Sequence, residues 1–397
     1  MILSDVCEFI VDCPHSTAPD EGEGYPLIRT PNVGKGRLDL NGVHRVSESV
    51  YKQRIQRGAP RANDLIFARE APAGNVALVQ ENQTVCLGQR TVLIRPNVQK
   101  VNPQYLVYYL LSPKPQYELL GTANGATVAH VNLPAIRNLK IELPEKSVQD
   151  KIGTILVTYD DLIENNQKQI KLLEEAAQRL YKEWFVNLRF PGHENTKIVD
   201  GVPEGWQYEK LGDLVKTTSG GTPSRRKSEY YVNGNIRWIK TKELNDRFIF
   251  ETEEHITEDA VKNSSAKALP EGALIVAMYG ATIGKIGITA AEMACNQACC
   301  AFISFDDMIS KEYLYCWLMD NREYLVSQGK GAAQSNLSQE MIRNFSLLCP
   351  DKKVIKIFTE IVTTMLENKR VLENKILMLS EARDDLLPKL MSGEVEV

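Results

Sequence analysis

Aligned without a gap at an offset of 206, GATVAHVNLPAIRNLKIELP (residues 125–144) and GAAQSNLSQEMIRNFSLLCP (residues 331–350) are two versions of one segment. Six of the 20 positions are identical, where about one is expected by chance; they include Ile136-Arg137-Asn138 against Ile342-Arg343-Asn344. Working outward, Leu3-Ser4-Asp5-Val6 matches Leu211-Gly212-Asp213-Leu214 at 208, and Tyr105-Leu106 matches Tyr313-Leu314 at 208. Leu65-Ile66-Phe67-Ala68 matches Leu274-Ile275-Val276-Ala277 at 209. An offset that drifts by only three residues marks a tandem duplication of a unit of about 206 residues, not a solenoid of short repeats.

Each unit has two parts. Roughly its first 145 residues carry short β-branched runs broken by Gly, Pro and Asn, such as Thr91-Val92-Leu93-Ile94, which predict strands and turns with a few short helices. The rest has no Gly or Pro between Thr154 and Phe190, or between Asp351 and Leu387, and is rich in Leu, Glu, Lys, Gln and Ala. That composition predicts one long helix per unit, with Pro191 and Pro388 near the ends. Ile163, Asn166, Ile170, Leu173, Ala177, Leu180 and Trp184 follow steps of three and four, and 206 residues on stand Lys369, Leu372, Ile376, Leu379, Arg383, Leu386 and Leu390. A 3.5-residue seam predicts two helices paired as a coiled coil, with Ile163, Ile170, Leu173, Leu180, Trp184, Leu372, Ile376, Leu379 and Leu386 in the interface. Asn166 and Lys369 are polar where leucine is expected; each either sets register or is solvated near a helix start.

The expected fold is therefore α+β: a duplicated strand-rich recognition domain, each copy followed by a long helix. Expected boundaries are a first head over 1–146, a central helix over 147–190, a linker over 191–206, a second head over 207–350, and a C-terminal helix and tail over 351–397. The short polar linker cannot carry the second head back along a helix of roughly 50 Å. The helices are thus expected to run antiparallel, with pseudo-two-fold symmetry and a head at each end, like a caliper.

The whole chain of 397 residues has 47 Lys+Arg, 51 Asp+Glu and 43% hydrophobic residues, which excludes a mostly disordered protein. No apolar run is long enough for a membrane span, and MILSDVCEFIVDCPHS has no basic stretch ahead of an apolar core, so neither a membrane partner nor a secretory signal is expected. Eight scattered cysteines fit reduced thiols in a cytoplasmic protein. The net charge of −4 hides two basic regions. Arg29–Arg69 holds nine basic and three acidic residues, and Lys216–Arg247 holds eight and three. Recurrence of such patches in both heads, interleaved with Asn, Thr, Ser and Gln, suits double-stranded DNA, with cations on phosphates and polar groups on base edges. The residues expected at DNA are Arg29, Thr30, Asn32, Lys35, Arg37, Arg69 and Arg90 in the first head. In the second they are Ser224, Arg225, Arg226, Lys227, Lys240, Thr241, Lys242, Tyr279 and Lys285.

No catalytic constellation emerges. Asn102-Pro103-Gln104-Tyr105 is similar to the adenine-gripping motif of amino-methyltransferases, but it lacks the second proline, and Ser310-Lys311-Glu312-Tyr313 stands in the other copy; a helix start is the better account. Gly280-Ala281-Thr282-Ile283-Gly284-Lys285-Ile286 is one residue short of a phosphate-binding loop and reads as a turn between strands. Cys295, Cys299 and Cys300 lack zinc spacing, and the five histidines form no metal signature; His15 and His130 either lie on DNA-facing loops or cap turns. No metal and no cofactor is expected in this chain.

Tyr181-Lys182-Glu183-Trp184-Phe185-Val186-Asn187-Leu188-Arg189-Phe190-Pro191-Gly192-His193-Glu194 resembles the end of the central helix in specificity subunits of Type I restriction–modification enzymes. So do Pro203-Glu204-Gly205-Trp206, Gly220-Gly221-Thr222-Pro223-Ser224 with Ile236-Arg237-Trp238-Ile239, and Leu386-Leu387-Pro388-Lys389-Leu390-Met391-Ser392-Gly393. Asp12-Cys13-Pro14-His15-Ser16 with Tyr25-Pro26-Leu27-Ile28-Arg29-Thr30 resembles the start of another recognition-domain type of that family. The resemblance implies a non-catalytic subunit whose two target recognition domains each read one half of a split, asymmetric DNA site. It also implies that the helices set the spacer and dock two methyltransferase subunits, which carry S-adenosylmethionine and methylate adenine N6, and that two motor-nuclease subunits join for restriction. The competing classes are an adenine-N6 methyltransferase acting alone and a two-headed adaptor that binds proteins.

Overall fold

The computed structural model describes residues 1–121, 130–329 and 336–397. The first five residues of each copy of the opening segment, 125–129 and 331–335, lie outside the described residues. The chain divides into two compact units: Met1–Glu164 with Leu377–Val397, and Asn165–Ile376. Each unit is one head plus one half of each long helix.

The main sheet of the first head comprises β1 (Cys7–Asp12), β2 (Gly36–Arg37), β3 (Leu65–Ala68), β4 (Val76–Leu78) and β5 (Thr91–Pro96), in the order β1-β5-β3-β4-β2. The second head repeats it with β6 (Val215–Ser219), β7 (Arg247–Ile249), β8 (Leu274–Ala277), β9 (Ile286–Thr289) and β10 (Cys299–Phe305), in the order β6-β10-β8-β9-β7. In both, the last strand joins parallel and all other pairs are antiparallel. The central strands β3 and β8 are buried on both faces, which is why they read as unbroken apolar runs instead of alternating. A smaller sheet lies beside each main one: Tyr25–Ile28 between Arg45–Val46 and Cys86–Leu87, and Ile236–Ile239 between His255–Ile256 and Met293–Cys295, extended by Ala268–Leu269. One helix per head, α1 (Pro103–Leu111) and α3 (Lys311–Asp320), sits in the core below the main sheet. The side chains of Asn102 and Ser310 cap them by accepting from Tyr105 N and Tyr313 N. The Asn-Pro-Gln-Tyr run is thus a helix start with Pro103 in the first turn.

The long helices are α2 (Lys146–Tyr181) and α4 (Lys352–Ser392). The latter runs on for a further turn past Pro388, which the sequence placed near its end. Along the seam Asn166, Ala177, Trp184, Lys369, Leu372 and Leu390 are buried, while Ile163, Ile170, Leu173, Leu180, Ile376, Leu379, Arg383 and Leu386 are half-buried. The helix segments run antiparallel within each unit. In the first, Ile152 and Leu156 share a core with Leu386 and Leu390, and Asp160 pairs with Arg383. In the second, Glu174 pairs with Lys369 at 2.6 Å and Tyr181 packs edge-on against Phe358. After Tyr181 the helix widens into a π turn over Lys182–Val186, which turns Trp184 and Phe185 inward together. Phe185 meets Phe358 with ring centroids 4.9 Å apart, and Phe190 meets Trp206 at 4.6 Å. The aromatic motifs at the helix end and at Pro203–Trp206 thus form one clasp at the base of the second head.

Candidate nucleic-acid interface

One end of each main sheet gathers most of the residues expected at DNA. In the first head it is where β1 and β3 end and β5 begins. Arg69 N donates to Arg90 O at 2.9 Å, the Thr30 hydroxyl donates to Ala71 O at 3.3 Å, and Gly88 N donates to Ile28 O at 2.8 Å, which brings Arg29 alongside. Arg29, Thr30, Arg69 and Arg90 therefore share a rim. Thr30 and Asn32 are buried: Asn32 Oδ1 accepts from Arg29 N and its amide donates to Asp39 O, so it shapes the loop that presents Arg29. Arg54, counted in the basic region, is also buried and spends its guanidinium on the carbonyls of Pro14, Ser16 and Leu87. Lys35 is exposed on the far side of that loop.

Arg37 lies elsewhere. It ion-pairs with Asp161 and approaches Asp160, whose Oδ2 accepts from the Tyr108 hydroxyl at 2.6 Å and whose Oδ1 takes Arg383. It therefore fastens β2 to the helix pair. Gly36 beside it is required: a Cβ there would stand 2.5 Å from Asp160 Oδ2. The second head is fastened through β7 by different chemistry. Lys369, 1% exposed, donates to Asp246 O at 2.6 Å and to the Tyr315 hydroxyl at 3.2 Å, while Phe248 N donates to Glu373 at 2.8 Å. Burial pushes the Glu373 carboxyl up to about 7, against the pull of Lys369. Lys285, which follows the Gly280–Gly284 turn, pairs with Asp246, as does Arg322, and so ties that turn to this fastening.

The rim of the second head is built from the Gly-Gly-Thr-Pro-Ser loop after β6. A Cβ on Gly220 would overlap the Cys295 carbonyl at 1.8 Å, so only glycine lets the loop leave the strand this closely. Gly221 O accepts from the Trp238 indole at 3.1 Å, and Arg225 lies over the Tyr231 ring at 4.3 Å. Lys227 donates to the Tyr230 hydroxyl at 2.9 Å; Ser224 and Arg226 are exposed. Lys240-Thr241-Lys242 joins this rim because Glu254 takes both Arg225 (2.6 Å) and Lys240, and Glu253 takes both Lys240 (3.2 Å) and Lys242. The Thr282 hydroxyl donates to Thr241 O at 2.7 Å, which brings the Gly280–Gly284 turn and Tyr279 to the same place. Burial alone would raise the Glu254 carboxyl, but Lys240 and Arg225 hold it below the ordinary glutamate value. Among the described residues no cluster of side chains could hold a metal ion, and the eight cysteines are unpaired, seven of them buried.

The sequence reading passed over Asp12, Glu70, Glu253 and Glu254, the acids that hold these cations. The signal was near at hand: Glu70 falls one residue past the first basic region, and Glu251-Thr252-Glu253-Glu254 begins four residues past the second.

A duplicated chain with a cation-bearing rim on each of two unlike heads has the build of a two-headed recognition protein. Its sequence matches the family described as the Type I restriction modification DNA specificity domain over residues 1–175 and 203–378, and the chain belongs to that family. It is 28% identical over 363 residues to the Type I restriction enzyme MjaIX specificity subunit of Methanocaldococcus jannaschii, covering 90% of this chain and 83% of that protein. It is 25% identical over 406 residues to the HindI specificity subunit of Haemophilus influenzae, covering 85% of this chain and 87% of that one. The crystal structure of a Type-I restriction-modification system S subunit from M. genitalium shares the fold with a TM-score of 0.62 at 15% identity, covering 98% of this chain and 95% of that one. Among the described residues no helix is long and apolar enough to cross a membrane.

Proposed function

We propose that this chain is the non-catalytic specificity subunit of a cytoplasmic Type I restriction–modification complex, in which each head reads one half of a bipartite, asymmetric target in duplex DNA. The observation that carries this reading is the recurrence, at the same end of the same five-stranded sheet, of a rim of held arginines and lysines in two heads whose rim side chains differ. Cations on such a rim neutralise phosphates and position the head, while the fixed polar groups between them address base edges in the major groove. The helix pair sets the unread spacer between the half-sites and docks two methyltransferase subunits. Those subunits supply S-adenosylmethionine and the transfer to adenine N6, and two motor-nuclease subunits join for cleavage.

What this chain contributes is geometry. Each head is fastened to the helices by polar groups, half-buried Arg37 with buried Asp160 and Tyr108 in one and buried Lys369, Glu373 and Tyr315 in the other, so a rim cannot swing without breaking them. The test is to express the full-length chain with its methyltransferase partner and map methylated adenines in the host DNA. A single motif is expected, with two different half-sites separated by a fixed unread spacer. Methylation at no preferred sequence, or at a continuous site, would overturn the reading. Methylation by the chain without a partner would favour an enzyme acting alone.

A further inference from the structure

The two heads share the hydrogen bonds that build the rim and differ in the side chains at its tip. In the first, Arg69 N donates to Arg90 O at 2.9 Å and Val131 N to Arg69 O at 3.0 Å. In the second, Met278 N donates to Ala298 O at 2.9 Å and Leu337 N to Met278 O at 2.7 Å. A glutamine braces the turn from behind in both: Gln89 donates to His15 O at 2.7 Å, and Gln297 accepts from the Thr222 hydroxyl at 2.6 Å. These bonds and the strand registers make Asp12 the counterpart of Ser219, Arg69 of Met278, Glu70 of Tyr279, Arg90 of Ala298 and His130 of Asn336.

In the first head those five residues form one continuous chain. Arg90 pairs with Glu70 at 2.6 Å, Glu70 meets His130 Nδ1 at 2.6 Å, His130 Nε2 meets Arg69 at 2.7 Å, and Arg69 pairs with Asp12 at 2.7 Å. A guanidinium only donates, so His130 Nε2 accepts from Arg69 and the ring proton sits on Nδ1, facing Glu70. Every link is thereby fixed in direction. The chain ends on Arg90, whose side chain is 64% exposed and whose φ of 63° lies in the left-handed region that favours glycine. An arginine kept in that conformation at a turn tip carries its guanidinium out of the fold, with Glu70 fixing the angle. In the second head Met278 and Ala298 are buried, which leaves the half-buried Tyr279 ring and the exposed Asn336 amide.

The two tips offer different chemistry to a base pair. A held arginine forks onto guanine O6 and N7, and a carboxylate beside it accepts from cytosine N4. An asparagine amide pairs with adenine N6 and N7, and an aromatic face takes the thymine methyl. We propose that Arg90 and Glu70, oriented by His130, Arg69 and Asp12, read a G·C pair in the half-site of the first head, and that Asn336 and Tyr279 read an A·T pair at the matching place of the other. The inference rests on the specificity-subunit reading and adds to it which residues make the two half-sites unlike.

The experiment compares three full-length chains, each expressed with the same methyltransferase partner, by mapping methylated adenines. They are the unaltered protein, Arg90→Ala, and an exchange of Arg69→Met, Glu70→Tyr, Arg90→Ala and His130→Asn. Arg90→Ala, altered only at an exposed tip, is expected to lose preference for one G·C pair in one half-site by on the order of 10- to 100-fold. The other half-site and the spacer are expected to persist, which also reports an intact complex. The exchange is expected to move the same position toward A·T; should it abolish methylation altogether, the outcome is decided on Arg90→Ala. Both half-sites unchanged in Arg90→Ala, or an unaltered target without a G·C pair in the affected half-site, would overturn the tip assignment and leave the subunit reading standing. An unaltered chain that directs methylation to no bipartite motif would overturn the subunit reading and the assignment with it.

Discussion

The two heads hold their cations in opposite ways. In the first, Arg69 and Arg90 are threaded into a partly buried chain that includes a histidine, and its last member, Arg90, is the most exposed. In the second, the cations stand on aromatic faces and are ringed from outside by Glu251, Glu253 and Glu254. Yet the sheets beneath have the same strand order, and each uses its parallel edge strand to grip the helices. The contrast locates the freedom in the design: the end fastened to the helices must keep its shape, while the rim needs only the backbone frame. Even the fastenings differ in sign, with a buried carboxylate at the centre of one and a buried ammonium at the centre of the other.

The strongest blow to this comparison is aimed at the fastenings. Arg383→Met leaves Asp160, 2% exposed at its side chain, with Arg37 as its remaining cation, and is expected to cost about 3–5 kcal/mol in a denaturant melt. A loss below about 1 kcal/mol would mean the pair is no more than a surface bridge. A subtler contrast lies in the second rim. Arg225→Ala with Arg226→Ala is expected to weaken duplex binding by the assembled complex and reduce its log–log salt slope by about 1–2. Glu253→Gln with Glu254→Gln is expected to do the reverse, because Arg225, Lys240 and Lys242 lose their internal partners and become available to phosphate. If both pairs of substitutions move the slope the same way, the acids do not compete with DNA. The smallest effect is one of pH. Buried Glu373 binds its proton more tightly folded than unfolded, so its contribution to stability falls as pH rises between about 4.5 and 7. Glu373→Gln, which keeps an oxygen for Phe248 N, is expected to flatten that part of a melting-against-pH curve.

The duplication, the strand-rich heads and the helical seam were legible because each is a periodic or repeated property of neighbouring residues. Lys369 even stood out as a polar member of the seam, and Arg383 fell on it. What they bind was not legible: Asp246 O and the Tyr315 hydroxyl come from the head, and Asp160 comes from the other helix at a register that spacing within one helix does not reveal. Charge counting was likewise silent on partners. Arg37 and Lys285 sit among basic residues in sequence, yet Arg37 pairs with Asp161 on the long helix and Lys285 with Asp246. Nor does a net excess of cations distinguish Arg54, which is internal and bonded to carbonyls, from Arg226, which is open to solvent.

In both units the acid of the helix pair comes from α2, Asp160 and then Glu174, and the base from α4, Arg383 and then Lys369. An ancestral half-length chain would have had to associate with a twin of itself. Were the first half of this protein released and two copies married head to tail at the present register, Asp160 would confront Ala177 and keep Arg37 as its one cation, and Glu174 would confront Ile163 in place of Lys369. Divergence has made the halves complementary: the cation that meets each acid across the helix pair is supplied by the other half.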